Sequence, residues 1–519
     1  MAPKPNISTI TAVVELTNDV KPPDKPPAAD FEKAISASRY GIFNFLLLLA
    51  GLPCCAATLF ETSTMSYVLP SADCDLHLSL TDKGILNAVT YAGMITSAIP
   101  WGYLSDKLGR RKLLIYGYLL DTICVFMCAL SQNVWSLIFF KFMGGFISCG
   151  PFAVLMSYIQ EFHGSDHRSR VMMIIGMFFS LATIILPAIA WFVIPKPWAV
   201  QIGSFVSLKS WQIFLAICAF PSLIGGVAII FFPESPKFLM SQGRNEEALR
   251  VFRTIYKINS GRKADDYPIK TLVLEQDLEK VSENIKPAKD TGKCSSIVST
   301  YLSTPLLRKP LLNKCILVFT IQFCALLGLN TVRLWLPQLF AMVSDFENMQ
   351  TVGDSDSDLC SMLSYSVNKS IANIQSINTN NNTCLVNIVD TTYINTIIVG
   401  FVGLGGYLIA GALINAVGSK NILIYGLFGA GCCGTGLYWA RNSITTVALS
   451  SLYTTIGSIS STALIGVIVN LFPTSYRTMT ISLAMMFGRF GASIGNVIFP
   501  YLLQRGCLPP FLLVGFIQF

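Results

Sequence analysis

Four ionisable side chains stand inside runs that are otherwise apolar: Glu61, Lys141, Arg333 and Arg489. A charge at membrane depth is expensive, and such residues face a cavity, a partner charge or a transport path. Glu61 lies past the middle of the first apolar run and Arg333 at a similar depth in a later one. At a shared depth the two are expected to act together, as a gate pair or as contacts for a charged solute. A carboxylate in such a place can load and release a coupling proton. The plainer alternative is a static ion pair that only fixes helix packing. Lys141 is a further cavity candidate, unless its ammonium snorkels to the interface. Arg489, within Phe-Gly-Arg489-Phe-Gly, would meet an anionic substrate or brace the interface between two halves of the chain. Asp121 is expected in a hydrogen-bonded structural role. Tyr91, Tyr158, Gln322, Asn330, Trp335 and Tyr453 either shape the cavity or pack.

Other patterns point away from chemistry. Gly429-Ala-Gly431-Cys-Cys-Gly434 spells G-x-G-x-x-G, but it lies inside an apolar run with no strand before it. It is expected to serve helix packing through small residues. His163 and His167 stand four apart around Asp166, yet Gly164 interrupts the stretch and His77 is the one remaining histidine. No Gly-Lys-Ser phosphate loop and no nucleophile, base and acid set is visible. The chain is expected to be no enzyme and to need no cofactor and no metal.

The elements that must position these residues are membrane helices. Of 519 residues, 52% are apolar and 13% charged, about half the roughly 25% of charged residues in a soluble domain. The mean hydropathy is +0.57. Too few charges exist to cover a water-soluble globule of this size, and a net charge of +8 spread thinly along the chain does not suit nucleic acid. Runs of about 20 apolar residues, the length that spans a bilayer as helix, recur at Gly41–Tyr67, Ile85–Leu104, Leu113–Leu130, Val134–Tyr158, Val171–Trp191 and Trp211–Phe232. They resume at Cys315–Phe340, Tyr393–Val417, Ile422–Trp439, Thr445–Phe472 and Thr478–Leu503. A last run, Cys507–Phe519, is shorter than a span needs, so twelve helices are expected with the twelfth truncated. The fold class is an all-α polytopic membrane protein in the lipid bilayer, expected as a monomer.

Loop charge sets the orientation. The break 233–313 carries Lys237, Arg244, Arg250, Arg253, Lys257, Arg262 and Lys263 and is expected to be a cytosolic linker. The break 341–392 carries a single basic residue, Lys369, and is expected to be luminal or extracellular. Its acceptor motifs Asn368-Lys-Ser and Asn381-Asn-Thr fit glycosylation on that side. Cys360 and Cys384 share this loop and are a disulfide candidate, with Cys74 as the other luminal cysteine. Most of the fifteen cysteines fall within apolar runs, where thiols act as small packing groups. Residues 1–38, rich in proline, are expected to carry no cleaved leader and to be a disordered cytosolic tail. The organisation is then a six-helix part, 39–232, the linker, and a second part, 314–519, with both termini cytosolic.

The second part repeats the first. Gly102-Tyr-Leu-Ser-Asp-Lys-Leu-Gly109 and Gly411-Ala-Leu-Ile-Asn-Ala-Val-Gly418 align at a spacing of 309 residues. The same spacing sets Leu114-Ile-Tyr-Gly117 on Leu423-Ile-Tyr-Gly426, and Arg168 on Arg477. Two parallel six-helix halves can rock about a site at the membrane midplane. The copies are unequal, since Asp106, Arg110 and Arg111 face Asn415, Ser419 and Lys420. The charged residues Asp106, Arg110, Arg111, Glu161, Arg168, Glu234 and Arg477 all fall at cytosolic span ends. They are expected to lock the halves in one state and part in the other, provided they act as a network.

These residues carry a family resemblance. Gly102-Tyr-Leu-Ser-Asp106-Lys-Leu-Gly109-Arg110-Arg111 resembles the loop signature of the major facilitator superfamily. Phe232-Pro-Glu234-Ser-Pro-Lys237-Phe-Leu resembles the version found in sugar porters and organic-ion transporters. Val68-Leu-Pro-Ser-Ala72, Ser210-Trp211 and Cys218-Ala-Phe-Pro221 make the chain most similar to the synaptic vesicle glycoprotein 2 group and its insect relatives. Organic cation and anion transporters come next. The resemblance covers Tyr40 to the end. It implies a major facilitator fold whose first, fourth, seventh and tenth spans line a central cavity. It also implies a secondary transporter of a small organic solute, an organic ion or sugar-like, with or without a coupling proton or ion. The alternative is a vesicle-membrane glycoprotein or receptor that no longer transports. Two departures stand out: the loop 341–392 is short for the vesicle glycoproteins, and Asn470 replaces the acidic residue that organic-ion transporters place there.

Overall fold

The computed structural model describes residues 29–76, 78–202, 206–273, 311–349, 390–440, 442–472, 474–506 and 508–519. A chain in lipid must satisfy its own backbone polar groups, which a helix does within one segment. Ten helices among the described residues are long and apolar enough to cross a membrane. In chain order the helices are α1 (Phe31–Ala37), α2 (Ile42–Leu76), α3 (Leu80–Leu108), α4 (Arg110–Ala129), α5 (Val134–Glu161) and α6 (Ser165–Val193). A hairpin of β1 (Ala199–Ile202) and β2 (Val206–Lys209) leads into α7 (Ser210–Ile217), α8 (Phe220–Ile229), α9 (Pro236–Ser241) and α10 (Asn245–Ser260). Then follow α11 (Leu311–Met349), α12 (Asp390–Val417), α13 (Ser419–Gly436), α14 (Ser443–Leu471), α15 (Thr474–Arg505) and α16 (Leu508–Phe516).

The helix starts follow local chemistry. Ser79 and Asp82 form a reciprocal capping box at α3, with the Asp82 N–H donating to Ser79 Oγ at 3.1 Å and the Ser79 N–H to Asp82 Oδ2 at 3.0 Å. Asn442 caps α14 by accepting from the Thr445 N–H at 2.9 Å. Gly109, between α3 and α4, has φ 90° and ψ 158°; Gly418, between α12 and α13, has φ 81° and ψ 147°. Side chains with a Cβ avoid this region, so the glycine pair found in the repeat marks the same backbone turn twice.

Several expected boundaries move. Helix α2 continues to Leu76 and α11 to Met349, nine residues into the expected loop 341–392. Hydropathy marks where a span leaves lipid, whereas a helix can run on beyond it, and no Gly or Pro interrupts the chain between Ala341 and Met349. The sixth run is two helices, α7 and α8. Pro221 lacks an N–H and its ring opposes the carbonyl one turn back, so the helix restarts there. The expected second span, α3, is not among the ten apolar helices. It packs along α15 with Asn87, Thr90 and Ser97 buried. Small residues permit such contacts: a Cβ on Gly145 would strike the Thr90 backbone, and one on Gly84 would meet Pro500.

The described parts of residues 1–46, 160–166 and 233–289 form one compact unit, and the remaining helices form the other. Of the expected disordered tail at 1–38, the described part, 29–38, is ordered within the first unit. Asp30 caps α1 through the Lys33 N–H at 2.9 Å, and Phe31, Ala34 and Ile35 bury against Leu239, Phe252, Tyr256, Tyr267 and Leu272. Ala29 pairs with Leu272 as a parallel bridge. The apolar triplet on one face of α1 is what orders it, because so short a helix is unstable alone. The Tyr267 hydroxyl donates to the Ala34 carbonyl at 2.6 Å, and burial pushes its pKa up to about 12.

Candidate functional site

A cavity of about 160 Å³ lies among α2, α3, α5, α6, α11 and α15. Each helix turns one face to it, as the 3.6-residue period requires. Helix α2 supplies Thr58 and Thr62, one turn apart, and α11 supplies Leu326, Asn330 and Arg333 at steps of four and three. Met485 and Arg489 come from α15, Tyr91 and Met94 from α3, Ser148, Cys149 and Phe152 from α5, and Phe179 from α6. All of these stand near the middle of their helices, so the cavity sits near half the depth of the spans.

Arg333 donates through Nη2 to the Tyr91 hydroxyl at 3.1 Å, and that hydroxyl donates to Asn330 Oδ1 at 3.1 Å. This chain ties α11 to α3. Arg489 donates through Nη1 to Cys149 Sγ at 2.8 Å and ties α15 to α5. Thr58 and Thr62 back-bond to Cys54 and Leu59 carbonyls at 3.3 and 3.0 Å, which keeps their oxygens satisfied while they face the cavity.

The expected pairing of Glu61 with Arg333 does not form. Glu61 is 3% exposed and Lys141 1% exposed, and they pair with each other at 3.2 Å. Lys141 also donates to the Glu61 carbonyl at 3.1 Å and to Thr64 Oγ1 at 2.9 Å. Its three donors thus have three acceptors, which is what a buried ammonium requires. Neither residue lines the cavity. Gly144, one turn past Lys141, leaves room for the carboxylate, since a Cβ there would collide with Glu61. Depth along a span could not show this, because the outcome depends on rotation about the helix axis. Asp121 on α4 accepts a hydrogen bond from Ser222 on α8 and is buried, the structural role expected of it. Tyr158, Tyr453, Trp335 and Gln322 are buried away from the cavity, so of that polar group only Tyr91 and Asn330 line it. The lining residues Thr58, Thr62, Ser148 and Cys149 were not expected; two hydroxyls four apart on the first span were the available signal.

Arg110 and Arg111 open α4; Arg110 donates to the Ser105 carbonyl at 2.9 Å and Arg111 to the Ile230 carbonyl at 2.7 Å. Glu161 closes α5, Arg168 lies in the first turn of α6, and Glu234 accepts from the Ser235 N–H at 3.0 Å. The side chains of Asp106 and Arg477, and all of Cys360, Asn368, Asn381 and Cys384, lie outside the described residues. Gly431 and Gly434 face Phe519 and Gly515, so the G-x-G-x-x-G stretch is a helix-packing surface.

Comparison with known proteins adds to this geometry. A family model described as Major Facilitator Superfamily matches residues 51–356, and one described as Sugar (and other) transporter matches 385–517. Synaptic vesicle glycoprotein 2A of Homo sapiens is 30% identical over 267 residues, 51% of this chain and 36% of that protein. Synaptic vesicle glycoprotein 2C of Homo sapiens is 28% identical over 279 residues, 54% of this chain and 38% of that one. The matched stretch thus spans little more than a third of these relatives. Among solved structures, the xylose transporter XylE from E. coli in a partially occluded inward open conformation superposes with a TM-score of 0.62 at 15% identity, covering 92% of this chain and 97% of that one. The proton:xylose symporter XylE bound to 6-bromo-6-deoxy-D-glucose gives 0.63 at 16%, covering 92% and 94%. At that identity the likeness shows the fold.

Proposed function

Because the chain belongs to the Major Facilitator Superfamily, we propose that it is a multi-pass secondary transporter that moves a small organic solute by alternating access. The observation that carries this is the cavity at half depth, lined by polar and aromatic side chains from helices of both matched stretches. Transport sites in this class lie at the midplane, where rocking opens them to each side in turn. Glu61 is the coupling carboxylate of this proposal. A proton taken up there would cancel its charge and release Lys141, changing how α2 holds α5. The junction charges Asp106, Arg110, Arg111, Arg168 and Arg477 act as the cytosolic gate, with both termini on that side. The protein is not an enzyme and works as a monomer.

The test is uptake into proteoliposomes holding the purified chain, with labelled organic cations, anions and sugars, with and without a pH gradient. Uptake of one class, driven by the gradient and lost in Glu61→Gln, is the expected result. A second reading, a vesicle-membrane glycoprotein that does not transport, is favoured by the names of the matched relatives. Silence across the panel from folded protein would support it.

A further inference from the structure

We propose that the midplane cavity takes a small organic anion, its charged oxygens held between Arg333 and Arg489 and its apolar body against Phe152 and Phe179. This deepens the transport proposal and rests on it for movement of the solute, though not for its binding. The argument begins with charge. Glu61 was the acidic residue expected in the cavity, and it is turned away and paired with Lys141. Among the described residues the lining therefore holds two guanidinium groups and no carboxylate.

Among the described residues neither guanidinium meets an acidic side chain. Arg333 reaches the Tyr91 hydroxyl and Arg489 the Cys149 sulfur, both neutral. Arg333 Nε is buried with no hydrogen-bond acceptor. Two cations with neutral partners in a partly dry site are a standing cost, which an oxyanion removes and an ammonium would worsen. A guanidinium fork also matches the paired oxygens of a carboxylate or sulfonate. The remaining lining sets the body of the solute: Leu59, Met94, Leu326, Met485 and the two phenylalanines make an apolar wall. The volume, about 160 Å³, is below the roughly 300–1,000 Å³ of drug-sized pockets, which suits a single ring.

The experiment measures equilibrium binding to the purified full chain of four probes that share one ring: benzoate, benzenesulfonate, benzamide and benzylamine. The expected result is that one or both anions bind at least about tenfold more tightly than the amide and the amine. The two anions separate carboxylate from sulfonate chemistry. Arg333→Gln and Arg489→Gln should weaken anion binding by roughly ten- to a hundredfold and leave benzamide unchanged, while Arg489→Lys retains part of the preference. Benzamide or benzylamine binding as tightly as the better anion would overturn the proposal. So would unchanged anion affinity in both glutamine variants, or no saturable binding of either anion to folded protein. If the variants do not fold, the four-probe comparison on the unaltered chain decides alone. Anion binding without uptake into proteoliposomes would sink the transport proposal and leave this one standing. Preferred uptake of benzylamine would do the reverse.

Discussion

Truncating Lys141 would leave the buried Glu61 carboxylate without its ammonium partner. Breaking a buried ion pair from one side costs about 3–5 kcal/mol, far more than replacing both partners. Lys141→Met should therefore lower the melting temperature of the detergent-solubilised protein sharply. Adding Glu61→Gln to it should restore most of the loss. Equal melting of single and double variants would show that the pair holds nothing together. At this scale the sequence was half legible. Charges in apolar runs announced themselves, so Arg333 and Arg489 were found where the cavity is. Their partners were not readable, because a span that is apolar all round gives no phase to its faces. Glu61 and Arg333 share a depth and still point to different neighbours.

Among the elements, the turns carry the clearest expectation. Gly109→Ala and Gly418→Ala each put a Cβ on a backbone with φ near 90° and 81°, at a cost of about 1–3 kcal/mol. Unfolding measurements should show both losses, and an unchanged stability would mean the turn relaxes freely. Phe31→Ala should free α1 from its cluster, at about 3–5 kcal/mol for a buried aromatic, seen as faster amide exchange over 31–37. The same protection should depend on alkali. Folded Tyr267 keeps its proton to about pH 12 and an unfolded tyrosine to about 10, so the folded state binds more protons between those values. The contribution of this group is full below pH 10 and falls as pH rises to 12; protection of α1 that is flat across that window would contradict the Tyr267–Ala34 bond. Helix existence was legible from apolar run length, and helix ends were not. Hydropathy placed loop 341–392 where lipid stops, while α11 continued to Met349. The β1–β2 hairpin was missed, although Val200, Ile202, Val206 and Leu208 alternate as strands do. Helix α1 was missed because its order depends on residues such as Leu239, Phe252 and Tyr267, far along the chain.

For the whole molecule, the recurring apolar runs made an all-α membrane fold readable before any contact was known, since a membrane leaves so few folds available. The site was less readable, being assembled from six helices whose rotations the sequence does not state. The central claim is that the cavity opens alternately to the two sides of the membrane. Thr62 lines that cavity, so Thr62→Cys offers a reporter within it. Oriented proteoliposomes would be treated with a membrane-impermeant maleimide from one side or the other, with the added label located by mass spectrometry. Alternating access predicts that the introduced thiol reacts from both sides, with the balance shifting when the pH gradient is reversed. Reaction from one side only, under every gradient, would contradict it.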